Sequence, residues 1–214
     1  MVDQKKIRRF LKPAIFILSL CPLLFLGWDA YSGSLSANPI SDITHTTGDW
    51  TLRFLLITLA VSPIRRITGW SSIIDYRRMI GLFAFFYGFL HFMTYLWLDQ
   101  FFQWGDILQD IGKRRFILAG LTAFILLIPL AVTSTKRMVR WLGGKRWQAL
   151  HRLIYASAIA GVIHYFWLVK ADLHRPIRYA VILGLLLGIR MWFAYRKRRS
   201  RKKIMIGRVV TESD

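Results

Sequence analysis

Residues 79–98 read MIGLFAFFYGFLHFMTYLWL, a run without Asp, Glu, Lys or Arg and with one histidine, His91. At 1.5 Å per residue a helix of this length spans about 30 Å, the thickness of a bilayer's hydrocarbon core. An ionisable side chain inside such a run is costly, so His91 is a functional candidate by default. Working outward, similar apolar stretches occur at Phe10–Trp28, Leu52–Ile64, Phe116–Thr133, Leu153–Val169 and Tyr179–Tyr195. Leu52–Ile64 is the weakest, with Arg53 near its start and Pro63 near its end. It reads as a short span or a re-entrant piece. The expected fold is all-α: a polytopic membrane protein with a six-transmembrane-helix bundle over residues 1–195 and a basic tail over 196–214.

Composition agrees with that reading. The 214 residues are 55% hydrophobic and 15% aromatic, yet the formal net charge is +20. An ordinary soluble domain cannot hide so much apolar surface, and the mean hydropathy of +0.38 requires apolar and basic residues to be segregated along the chain. The one cysteine, Cys21, excludes an internal disulfide and a cysteine-ligated cluster. Basic clusters confined to the gaps between spans argue for the positive-inside rule rather than for nucleic acid.

Those clusters also orient the chain. Lys5, Lys6, Arg8, Arg9 and Lys12 precede the first span; Arg65, Arg66, Arg77 and Arg78 lie between the second and third. Lys136, Arg137, Arg140, Lys145, Arg146 and Arg152 lie between the fourth and fifth, and Arg196–Arg199, Arg201–Lys203 and Arg208 follow the sixth. The alternate connections carry Asp29, Asp42, Asp49, Asp99, Asp106, Asp110 and Asp172. Both termini are therefore expected in the cytoplasm, with the tail lying on anionic lipid. The acidic connection at 99–115 has room for a short surface helix.

Of five histidines, His45 and His174 fall in acidic connections and read as solvated. His91 and His164 lie deep in the third and fifth spans, and His151 at the cytoplasmic start of the fifth. Counting residues puts His91 about 18 Å beyond Met79, and His164 about 20 Å beyond His151. The first two therefore share a depth in the far half of the membrane. Two imidazoles at one level on two helices can clamp a haem iron. On an ideal helix His151 and His164 would point some 140° apart. Gly88 and Gly161, each three residues before a deep histidine and so on its face, would leave room for a flat macrocycle. Two other readings stand beside haem ligation: structural histidines bonded to a neighbouring helix, and a proton or transport path. No phosphate loop, GxSxG, HExxH or pair of carboxylates within a span competes.

Several runs carry a resemblance: NPISDITHTTG (38–48), RRMIGL (77–82), Leu90-His91, LAVTST (130–135), WQALHRLIY (147–155) and Ile163-His164-Tyr165. Over nearly the whole chain the sequence resembles the MsrQ (YedZ) family, and more distantly the transmembrane domain of ferric reductases and NADPH oxidases. The resemblance implies an electron-transfer subunit in the bacterial inner membrane that carries b-type haem and is not itself the catalytic subunit. Its partner would be the periplasmic molybdopterin reductase MsrP, which repairs oxidised envelope proteins, and its donor a cytoplasmic flavin reductase or the quinol pool. It also implies FMN, with no residue to place it on. Carried over by position, the haem ligands would be His91, His151 and His164, with one haem expected and a second possible. Arg78 stands where a fourth histidine would complete the oxidase-like pattern, and Arg77 and Arg78 would pair with haem propionates or lipid phosphate. The alternatives are a transport or assembly protein with structural histidines, and a quinol-oxidising cytochrome with another acceptor.

Overall fold

The computed structural model describes residues 4–211, and every regular element among them is helical. In chain order the α-helices are α1 (Gln4–Tyr31), α2 (Pro39–Thr68), α3 (Ile74–Met93), α4 (Trp104–Lys113), α5 (Arg115–Val132), α6 (Lys136–Leu142), α7 (Gly144–Leu150), α8 (Leu153–Leu168) and α9 (His174–Thr211). A 3₁₀ turn at Ser71–Ile73 leads into α3, and a π-helical segment, Thr94–Asp99, follows it.

Among the described residues, four helical segments are long and apolar enough to cross a membrane: Arg9–Tyr31, Ser71–Asp99, Arg115–Val132 and His174–Lys197. They correspond to the first, third, fourth and sixth expected spans. The other two stretches are helical as well. Leu52–Ile64 is the inner part of α2, a continuous 30-residue helix and not a re-entrant piece. Asn38 caps its start by accepting from Ser41 N, Pro39 takes the first helical position, where no N–H is needed, and Gly69 closes it in the left-handed region at φ 73°. The fifth stretch becomes α8, only 16 residues long.

α2 and α8 are shorter in apolar sequence because they are central. The core is built around Leu52, Leu55, Leu59 and Val61 of α2, Tyr76, Ala84 and Tyr87 of α3, and Ile154 and Ala158 of α8. α2 pairs chiefly with α3, and α5 with α8. A helix shielded by its neighbours can carry polar residues that a lipid-facing helix cannot. Buried Thr47 and Thr58 accordingly satisfy their hydroxyls within α2, on Ile43 O and Phe54 O at 2.7 Å each. Ser157 of α8, fully buried, donates to Ala123 O of α5 at 2.9 Å.

The outer helices show the reverse. Phe10, Leu18, Leu24 and Phe25 of α1 and Leu185, Met191 and Trp192 of α9 are largely exposed, as side chains facing lipid must be. At Gly184 and Gly188 of α9 an added Cβ would meet nothing within 4 Å. The connection at 99–115 does contain a surface helix, amphipathic α4. Its Ile107 is buried, while Trp104 and Leu108 are exposed beside Phe101 and Phe102. Those two phenylalanines have positive φ, 46° and 57°, in the tight reversal that follows the π segment.

Candidate functional site

His91 is in the last turn of α3 and His164 is in α8. The structure brings their rings face to edge, with centroids 6.0 Å apart and planes at 79°. Counting residues along two separate helices placed them at one depth, and the fold places them side by side.

Each ring is held from behind by the helix paired with its own. His91 Nδ1 lies 2.9 Å from Thr44 O of α2, and His164 Nδ1 lies 2.7 Å from Phe116 O of α5. A carbonyl oxygen can only accept, so both Nδ1 atoms carry the proton and both Nε2 atoms keep a bare lone pair. That is the tautomer a metal-ligating imidazole needs, and a backbone carbonyl on the far nitrogen is the usual device for fixing it.

The two helix pairs repeat one arrangement. Four residues after Thr44 stands Gly48, and four after Phe116 stands Gly120. A Cβ on Gly48 would come within 3.0 Å of His91 Nδ1 and Cε1, and one on Gly120 within 2.7 Å of His164 Nδ1. Position i+4 lies one turn above the carbonyl of residue i on the same face. A histidine bonded to that carbonyl therefore lies flat against residue i+4, and only glycine leaves it space.

Spacing within each span does not reveal these two glycines, since each lies against its histidine from the partner helix. Gly88 and Gly161 sit elsewhere. A Cβ at Gly88 would meet Thr51 of α2 and Phe124 and Leu127 of α5; one at Gly161 would meet Leu52 of α2 at 3.1 Å. Both positions let helices approach closely.

His151 is not on α8 at all. It caps the C-terminus of α7, in the turn before Leu153, so the ideal-helix angle of 140° between it and His164 does not apply. Its ring stacks on Trp147 at 3.8 Å between centroids, and its Nε2 lies 3.1 Å from Thr133 Oγ1. Trp147 Nε1 donates to Thr133 O at 2.9 Å. Thr133 Oγ1 donates to Pro129 O at 2.6 Å, so toward His151 it serves as an acceptor. Burial first, then the cations Arg77 and Arg78, hold the His151 pKa below its ordinary value. Arg77 is partly buried and donates to Ser62 Oγ at 3.2 Å, while Arg78 is exposed. His45 is exposed in an acidic cleft with Asp29, Asp42, Asp49 and Asp172, and His174 is exposed at the start of α9. Asp42 there accepts from Ser36 N at 2.6 Å, and the Ser36 side chain first, then this backbone bond, holds its carboxyl below the usual range.

The donor set has a consequence for what it can hold. Among the described residues no three His, Cys, Asp or Glu side chains converge as a site for a bare metal ion. Two imidazoles could hold a haem, whose macrocycle supplies the other donors to its iron. The pair stands with ring centroids 6.0 Å apart and both Nδ1 atoms bonded to carbonyls, which leaves both Nε2 atoms to serve as donors to an iron, so these residues fit a haem.

Comparison with known proteins gives the same direction. Residues 47–162 match the family described as ferric reductase like transmembrane component. A protein of Rhodospirillum rubrum named protein-methionine-sulfoxide reductase heme-binding subunit MsrQ is 54% identical over 187 residues, covering 87% of this chain and 90% of that one. Proteins of the same name from Herminiimonas arsenicoxydans and Azospira oryzae are 50% identical over 199 residues and 54% over 182, with 92% and 85% of this chain and 91% and 78% of theirs aligned. No solved structure matches the chain. With the ferric-reductase-like domain spanning over half its length and identities of this size over most of the rest, the chain belongs to the MsrQ family of haem-binding methionine-sulfoxide reductase subunits.

Proposed function

We propose that this protein carries electrons across the bacterial inner membrane through one b-type haem held between His91 and His164, delivering them to a periplasmic molybdopterin reductase subunit, MsrP. The observation that carries the reading is the pair of imidazoles 6.0 Å apart, each with Nδ1 committed to a backbone carbonyl. Haem b, when bound, supplies a one-electron couple. The protein's own contribution is orientation: Thr44 O and Phe116 O fix both rings, and Gly48 and Gly120 leave them space.

In this reading α2 and α8 also cross, giving six spans with both termini cytoplasmic. The connections at 65–78 and 136–152 and the segments at both ends then lie on the basic side. The histidine pair belongs to the opposite half, near the acidic cleft of Asp29, Asp42, Asp49 and Asp172. That cleft would receive a partner with a complementary basic patch, which would steer docking. Electrons would enter from the cytoplasmic side, from a flavin reductase or quinol. His151 has Trp147, Thr133, Arg77 and Arg78 about it and no second imidazole, which favours a single haem.

The test is a reduced-minus-oxidised visible spectrum of the detergent-purified chain. A sharp low-spin b-type difference spectrum is expected. A protein that stays colourless after haem supplementation would overturn the reading and return the histidines to packing or transport.

A further inference from the structure

We propose that Arg77 of α3, Arg190 of α9 and Tyr155 of α8 form a binding site for an oxyanion, a phosphate or carboxylate group, in the half of the bundle opposite the histidine pair. Arg190 stands 16 residues into α9, about 24 Å from its start. Its two terminal nitrogens bond neutral partners. Nη1 donates to Tyr155 Oη at 2.6 Å, and Nη2 donates to Leu59 O of α2. The second bond has a clear cause: residue 63 is proline, with no N–H to return to the carbonyl four residues earlier. The third nitrogen, Nε, is buried and has no partner.

The Arg190 guanidinium lies 5.2 Å from the centroid of the Tyr155 ring, and no carboxylate faces it among the ion pairs of the described residues. Arg77 Nη1 donates to Ser62 Oγ at 3.2 Å, three residues beyond the Leu59 carbonyl that Arg190 bonds, so both guanidinium groups reach the same turn of α2. Among the described residues neither guanidinium forms an ion pair; those present are Arg53–Asp49 and Arg114–Asp110. Like charges gathered inside a bundle without a counter-charge are costly. A planar guanidinium fork fits a phosphate or carboxylate better than any other group. An oxyanion between the two arginines would satisfy Nε and offset both charges.

Three sources offer this chemistry: a lipid headgroup, free phosphate, and the carboxylates of a haem. The experiment uses the full chain, delipidated in detergent without phosphate. Inorganic phosphate, phosphatidylglycerol micelles, haem and haem dimethyl ester are titrated separately while the melting temperature is followed. Saturable stabilisation of the wild type is expected from at least one probe. Its apparent affinity should fall roughly tenfold or more in Arg77→Gln and in Arg190→Gln, and stay unchanged in Arg140→Gln, an exposed cation outside the site. Stabilisation by inorganic phosphate identifies free phosphate, and by phosphatidylglycerol alone the headgroup. Stabilisation by haem but not by its dimethyl ester identifies the carboxylate. No stabilisation by any probe, or equal stabilisation of the wild type and Arg77→Gln, would overturn the proposal. Arg77→Gln leaves the Leu59 carbonyl bonded, so the test stands even if Arg190→Gln does not fold.

Discussion

Gly120 stands so close behind His164 that a Cβ there would lie 2.7 Å from Nδ1, the atom that bonds Phe116 O. Gly48 stands behind His91 in the same way but at 3.0 Å. The two substitutions should therefore differ in degree. Gly120→Ala must displace the ring, at a cost of about 1–3 kcal/mol typical of overpacking, and should lower haem occupancy sharply. Gly48→Ala asks the His91 ring to give by a few tenths of an ångström and should be milder. Gly27→Ala, facing open space, is the control. The haem-to-protein absorbance ratio of the three purified variants checks the order.

Tyr87, almost fully buried, ties α3 to α1. Its hydroxyl donates to Ser19 O at 2.8 Å and accepts from Leu23 N at 3.2 Å. Those two groups are an i, i+4 pair beside Pro22, so a side chain has entered the helix ladder at a proline. Tyr87→Phe should cost roughly 1–3 kcal/mol by leaving buried groups unpaired. A lower melting temperature with the haem spectrum unchanged in shape is the expected result.

The bond from Arg190 to Leu59 O exists because Pro63 cannot donate. Pro63→Ala would restore that N–H. Loss of Arg190 should then be less harmful in the Pro63→Ala background than in the wild type, with a coupling energy of about 1 kcal/mol. A double-mutant cycle on thermal unfolding with Arg190→Met measures it. Additive effects would show that the carbonyl is satisfied in another way.

The depressed pKa of His151 fixes the sign of a pH effect. The unfolded chain takes up this proton near pH 6.5, whereas the folded protein resists it because burial and Arg77 and Arg78 disfavour the cation. The stability associated with neutral His151 is thus intact above that pH and is lost as pH falls toward the folded pKa. Melting curves of haem-free wild type and His151→Gln, compared from about pH 8 down to about pH 5, should converge or cross as the pH falls. A gap constant with pH would contradict this.

The apolar runs were enough to identify the lipid-facing helices, because a helix bathed in lipid must be apolar throughout. α2 was only half visible. Ser41, Asp42, Thr44, Thr46 and Asp49 hid its first turns, which border the acidic cleft and the histidine pair and not lipid. The common depth of His91 and His164 followed from the helical rise alone. The glycines that matter did not, since Gly48 and Gly120 act across a helix pair and no spacing along one helix reveals its partner's register. His151 misled the angular argument because α7 ends at it and α8 starts only at Leu153.

In the proposed site His91 and His164 serve one iron. The visible spectra of His91→Ala, His164→Ala and the double variant, each purified with haem added, test this. Either single change should abolish the low-spin b-type spectrum to the same extent, and the double variant should be no worse than the singles. Persistence of that spectrum in either single variant, or loss only when both histidines are replaced, would contradict it.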